Sequence, residues 1–327
     1  MVTPTATRGP AMKTNIILSV VCLLLVGCAA KGTRTVGQTP PPDVQEQARK
    51  VRIVTGEGTP ATWDDLVKAA SGADAVLTGE NHGHPLGLAS NAALWEDVLA
   101  RRPQGVLAME FLERDEQARV DDCIAGLTDV DGMAAALRRD EQGLPLGHRR
   151  MISLARERQR PVIAANAPRR YVRLARSDGY DRLKALSDEQ RRLYRIPDAV
   201  PQGSYRASFD EVMNTNAGIT EAQLGDPAFA AARRATLDAT FRSQSLWDWT
   251  MAESVATGLD RGRPVLMVVG RFHVDHDGGL VQALRAQRPD IRIVTVTFVD
   301  LEAPEGGGGH PKDIHRGDFV VYVGPSR

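Results

Sequence analysis

The sequence predicts an α/β protein: a mainly parallel sheet with helices on both faces and an inserted helical subdomain. Three observations carry this. Apolar, β-branched runs recur along the chain and are continuous rather than alternating, as in strands buried on both faces. Amphipathic stretches of helical period lie between most of them. The alternation then stops between about residues 169 and 258, a span with several helical patterns and no convincing strand.

Taken in order, strands are expected at residues 51–54, 75–78, 105–111, 161–165, 264–270, 291–298 and 318–323. Helices are expected at 86–100, 133–139, 151–158 and 279–286, where apolar residues recur every three or four positions. A helix between two strands carries the chain back to its starting edge, so successive strands run parallel and their connections cover the faces. A long helix from about 227 to 256 dominates the inserted span, and Gly306 to Gly309 reads as a surface loop before the last strand.

The 41 basic and 41 acidic residues cancel, leaving no global field to hold a polyanion, so no nucleic-acid partner is expected. A charged fraction of 25% beside 42% hydrophobic residues excludes a mostly disordered chain, and three cysteines are too few for a disulfide scaffold.

The N-terminus reads as an address. Lys13 precedes an apolar run at 16–26 and a small-residue cut site, a secretory signal too short to span a bilayer. Leu25-Val-Gly-Cys28 resembles the lipobox of bacterial lipoproteins, which implies cleavage after residue 27, acylation of Cys28 and, with Ala29 following, delivery to the outer membrane. Met12 is then the expected start. Residues 28–50 are expected as a lipidated tether rich in Pro, Gly and Thr, and 51–327 as the folded domain, with the helical subdomain at about 169–258. Cys123, the one cysteine left in the mature domain, falls in a helical pattern at 117–125 and is expected to be a buried small hydrophobe.

Ligands of open parallel sheets bind outside the carboxyl ends of the strands. Four expected strand ends carry unusual polar residues: Glu80 and His82 after the second strand, Glu110 at the end of the third, Asn166 after the fourth and His273 after the fifth. Two carboxylates and two imidazoles can do general acid–base work, and the same Glu80, His82, Glu110 and His273 are ordinary ligands for a divalent metal. No His-Glu-x-x-His helix and no Gly-rich phosphate loop is present, and Gly270-Arg-Phe-His273 lacks the serine of a nucleophile elbow.

Five blocks carry a family resemblance: Thr78-Gly-Glu-Asn-His82, Ala108-Met-Glu-Phe-Leu-Glu113, Asn166-Ala-Pro-Arg-Arg-Tyr-Val-Arg173, Gln244-Ser-Leu-Trp-Asp-Trp-Thr-Met-Ala252 and Val269-Gly-Arg-Phe-His-Val-Asp-His276. Together they resemble the ChaN-like haem-binding uptake lipoproteins, relatives of the Tiki, TraB and erythromycin-esterase-like proteins. The resemblance implies a parallel sheet with a helical subdomain, an iron-regulated outer-membrane role, and haem held through a tyrosine at a homodimer interface. It departs at Asn214-Thr-Asn216, where a histidine is expected.

A haem needs an axial ligand, apolar walls and cations for its propionates. Tyr171 beside Arg169, Arg170 and Arg173 fits those needs as the leading ligand, with Tyr194 and Tyr205 as further candidates. The alternatives are a Glu/His hydrolase, metal-dependent or not, of the erythromycin-esterase or Tiki type, and a scaffold lipoprotein with no chemistry.

Overall fold

The computed structural model describes residues 42–201 and 203–325. The signal segment, Met12 and Cys28 lie outside the described residues. Eight strands form one sheet: β1 (Arg52–Thr55), β2 (Pro60–Ala61), β3 (Ala75–Glu80), β4 (Val106–Glu113), β5 (Val162–Asn166), β6 (Val265–Gly270), β7 (Ile293–Val299) and β8 (Phe319–Tyr322). Their spatial order is β2-β1-β8-β7-β3-β6-β4-β5. The six strands from β8 to β5 are parallel, and β1 pairs antiparallel with both β8 and β2. The mainly parallel sheet is therefore present, with a hairpin added at one edge; β2 is two residues long, too short to leave a period in the sequence.

Thirteen helices surround the sheet among the described residues: α1 (Pro42–Gln47), α2 (Trp63–Gly72), α3 (Pro85–Arg101), α4 (Gln117–Ile124), α5 (Val130–Ala136), α6 (Leu146–Glu157), α7 (Arg169–Asp178), α8 (Tyr180–Lys184), α9 (Asp188–Arg191), α10 (Ser204–Asn216), α11 (Glu221–Leu224), α12 (Pro227–Gly258) and α13 (Gly279–Gln287). One face of the sheet, with Val76, Met109, Leu266 and Val296, packs against Leu66, Trp95 and Met151 of α2, α3 and α6. The other face, with Leu77, Ala108, Met267 and Val269, packs against Trp249, Met251 and Val255 of α12 and Leu280 and Leu284 of α13. Every residue of β3 and β6 is buried, which is why those segments are continuously apolar. Cys123 is buried and free in α4.

Two features were not anticipated. Helix α2 starts with a capping box, Thr62 accepting from the Asp65 N–H while Asp65 accepts from the Thr62 N–H. And the end of the span expected as a tether belongs to the packed body: α1 lies within it, Ala48 is buried against Ala89 and Ala93 of α3, and Arg49 pairs with Glu96 and Asp97.

The inserted span between β5 and β6 contains only helices among its described residues, α7 to α12. It is not a separate body. The first half of α12 stands among the other inserted helices, whereas its second half is the layer that covers one face of the sheet.

Candidate functional site

Strands β3, β6 and β4 lie side by side, and their parallel register sets Glu80 opposite Gly270 and Met109 opposite Val268. Their carboxyl ends therefore open at one place. Glu80, the last residue of β3, is buried, and its two carboxylate oxygens face two imidazoles: Oε2 lies 2.9 Å from His148 Nε2 and Oε1 lies 3.4 Å from His82 Nδ1. Glu110 accepts a hydrogen bond from the Gly270 N–H at 2.7 Å, and its Oε1 lies 3.6 Å from His273 Nε2. The ring of His82 closes over Gly270, where a Cβ would sit 2.9 Å from Nε2. Phe111 lies between the imidazoles, 5.4 Å from His82 edge-on and 4.1 Å from His148.

Glu80, His82, Glu110 and His273 are thus brought together as expected, and two further groups complete the cluster. His148, on α6, is fully buried beside Gly147, whose missing side chain lets that turn approach Leu88. Asp248, on α12, is fully buried and meets His273 Nδ1 at 2.5 Å with one oxygen while accepting from the Tyr205 hydroxyl at 2.9 Å with the other. Gln244 adds its amide to Tyr205 and His273. His148 carried a signal, as the one ionisable side chain on the buried face of α6, whereas Asp248 stands among the buried polar Gln244, Ser245 and Thr250 of α12 and carried none of that kind. Asn166 does not join the cluster: its Oδ1 accepts from the Ala167 N–H at the end of β5.

The loop after β3 is held from both sides. His84 caps α3 by accepting from the Gly87 N–H at Nδ1, and its Nε2 donates to the Gly324 carbonyl at 2.9 Å.

Charge in the cluster follows from burial against pairing. Burial is the largest influence on Glu80 and favours its neutral form, but His148 and His82 together outweigh it and hold the carboxyl at about 2. His82 is raised, with desolvation overcome by Glu80 and Glu110. His273 is raised as well, because Asp248 and Glu110 outweigh the cost of burying its charge.

The metal alternative finds no support in this arrangement: among the described residues no three His, Cys, Asp or Glu side chains converge as a ligand set. The carboxylates are instead engaged by imidazoles, the Tyr205 hydroxyl and a backbone N–H.

The three candidate tyrosines fall into two groups. Tyr205 belongs to the acid–base cluster, where burial and the neighbouring Asp248 push its pKa well up. Tyr171 and Tyr194 stack on each other with centroids 4.8 Å apart, and the Tyr194 hydroxyl donates to the Leu183 carbonyl at 2.8 Å. The Arg170 guanidinium lies over the Tyr171 ring, 4.6 Å from its centroid, and pairs with Asp115. Arg169 lies 3.7 Å from Glu113 and is more than half exposed.

A family model described as haem-binding uptake, Tiki superfamily, ChaN matches residues 66–284, well over half of the chain. The chain belongs to the ChaN family. Among solved structures, the ChaN of Campylobacter jejuni, titled for its cofacial haem binding, is 16% identical with a TM-score of 0.61, covering 83% of this chain and 96% of that one. At that identity the likeness speaks for the ChaN fold. More distant are a Bacillus cereus protein (12% identical, TM-score 0.45, covering 86% of this chain and 97% of that one) and the erythromycin esterase EreC (10%, 0.41, covering 80% and 79%). No curated protein matches the chain.

Proposed function

We propose that this chain binds haem, with Tyr171 as axial ligand, and serves haem or iron uptake as a lipid-anchored protein of the bacterial outer membrane. The observation that carries the reading is the haem-binding uptake family matched over residues 66–284, which spans the acid–base cluster and the tyrosine-bearing helices alike. The residues present fit the group. The Tyr194 and Tyr205 hydroxyls are engaged by the Leu183 carbonyl and Asp248, whereas the nearly buried Tyr171 has the Arg170 guanidinium over its ring and beside its hydroxyl, and we take it as the phenol for iron. Haem supplies a ferric centre that a phenolate oxygen can ligate. The protein's part is to fix the ring of Tyr171 between Tyr194 and Arg170 and to set cations beside it. Cofacial stacking of the kind titled for the Campylobacter jejuni protein places two haem faces together and implies a homodimer. The sequence Leu25-Val-Gly-Cys28 supplies the anchor.

Titration of purified protein with hemin should develop a Soret band of tyrosinate type, weakened by Tyr171→Phe by about tenfold or more and unaffected by Tyr194→Phe. A flat titration of the wild-type chain would sink the reading.

A second reading rests on a different observation, the convergence of Glu80, His82, Glu110 and His273 with His148 and Asp248. In it the cluster hydrolyses an ester or amide without metal. A carboxylate held at about 2 is a weak base, so the exposed His82, in the neutral form it takes above its raised pKa, accepts the proton from water while Glu80 orients the ring. A panel of esters and peptides assayed with wild type, Glu80→Gln and His82→Ala decides it; turnover that both variants reduce by about a hundredfold supports hydrolysis, and no turnover counts against it.

A further inference from the structure

Helix α3 buries an amide that its apolar surroundings do not explain. Asn91 lies between Leu88 and Trp95 on the covered side of the helix, fully buried, and neither its Oδ1 nor its Nδ2 has a hydrogen-bond partner among the described residues. A buried amide left unpaired is costly, so such groups are matched by other protein atoms or by ordered water. A second buried atom is in the same condition. His148 gives its Nε2 to Glu80 at 2.9 Å, while its Nδ1 has no partner among the described residues.

The packing of α3 on α6 turns these two groups toward one space. A Cβ on Gly147 would lie 2.7 Å from Leu88 Cβ, so the helices touch there almost backbone to backbone. Two turns after Leu88, Trp95 Nε1 donates at 3.1 Å to the carbonyl of Met151, one turn after Gly147, so the helices run in the same direction. An α-helix turns by about 100° per residue, and from the Leu88–Gly147 contact this swings both Asn91 and His148 to the same side. That side is the sheet, since His148 reaches Glu80 at the tip of β3. With a rise of about 1.5 Å per residue, Asn91 and His148 are level along the helix pair to within about 3 Å.

We propose that Asn91 and His148 Nδ1 hold a buried water between them, which makes Asn91 a positioning residue for the acid–base cluster. Water suits both ends: the amide offers a donor and an acceptor, and water can donate to Nδ1 or accept from it. The ring of His148 is then fixed at both nitrogens, with Phe111 stacked on it at 4.1 Å, and Nε2 stays aimed at Glu80 Oε2. Neither haem binding nor hydrolysis is needed for this role.

Three measurements on the full chain test it. A high-resolution crystal structure should show one ordered water within about 2.7–3.2 Å of both His148 Nδ1 and an Asn91 side-chain atom. Direct pairing of Asn91 with His148, or a dry gap between them, overturns the proposal. In protein carrying 15N-labelled histidine, Asn91→Leu, apolar and similar in volume, should shift the His148 Nδ1 resonance and leave that of exposed His315 in place. His148 resonances identical to wild type overturn it, because Asn91 then only fills space. Finally, Asn91→Leu and His148→Phe should each lower the melting temperature, and the double variant should lose less than the two together, as two groups sharing one water do. Strictly additive losses overturn it. Should Asn91→Leu fail to fold, the crystal structure of the wild-type chain decides alone.

Discussion

Glu80 is buried with two imidazoles on its two oxygens, and its carboxyl is held at about 2. A depressed carboxyl stabilises the fold wherever the free group would already be ionised, so this contribution is complete above about 4.5 and is lost as pH falls toward about 2. The raised His82 and His273 act with the opposite sign: their contribution is complete below 6.5 and is lost as pH rises through their folded values. Thermal melts across pH should therefore show greatest stability between the two limbs. Glu80→Gln should flatten the acid limb and lower stability by about 1–3 kcal/mol through weaker pairing of buried His148. An acid limb identical to wild type would count against the charge assignment. The four strand-end residues were legible because a continuous apolar run announces where a parallel strand stops. Their partners were not, because His148 is 68 residues from Glu80 and Asp248 is 25 from His273, distances that no local pattern connects.

At the scale of elements, the start of α13 shows how tightly the cluster is enclosed. A Cβ on Gly279 would lie 2.0 Å from Asp248 Oδ2 and 2.6 Å from Tyr205 Cε1, both buried groups that cannot swing aside. Gly279→Ala should cost about 1–3 kcal/mol, as overpacking does, and perturb the pH dependence of stability set by His273. A variant with wild-type melting at all pH values would show that α13 can shift freely. Edge strand β5 is closed in a different way: Gln117 donates to the Val162 carbonyl and accepts from the Ala164 N–H, both at 2.8 Å, standing in for a missing neighbour strand. Helices with one apolar stripe, such as α6 and α13, were readable from period alone. Helix α2 was not among the expected helices, although its capping box, Thr62 with Asp65, was a signal in the sequence. The long helix expected at about 227–256 is present as α12, but that its second half covers the sheet was not legible, because nearly every position from Ser243 to Val255 is buried and no stripe remains to show a direction.

For the whole molecule, the fold class was legible from strand composition and from the interruption at the helical insertion, and the family from five blocks that the chain spaces far apart. The strand order was not, because a run of apolar residues does not say which run it will lie beside. Neither was the pairing of arginines around the β5 edge, which depends on carboxylates brought in from the turn after β4, from α9 and from α12.

The sheet's centre has a consequence for how the chain assembles. Strand β3, with Glu80 at its tip, pairs only with β6 and β7, whose partners for Ala75 are Val265 and Ile293. Contacts of such long sequence separation form slowly, since the intervening chain must be ordered before they are rewarded. A nascent chain that ends before β6 therefore carries a central strand without its native neighbours, and the acid–base cluster cannot be completed until His273 has been added.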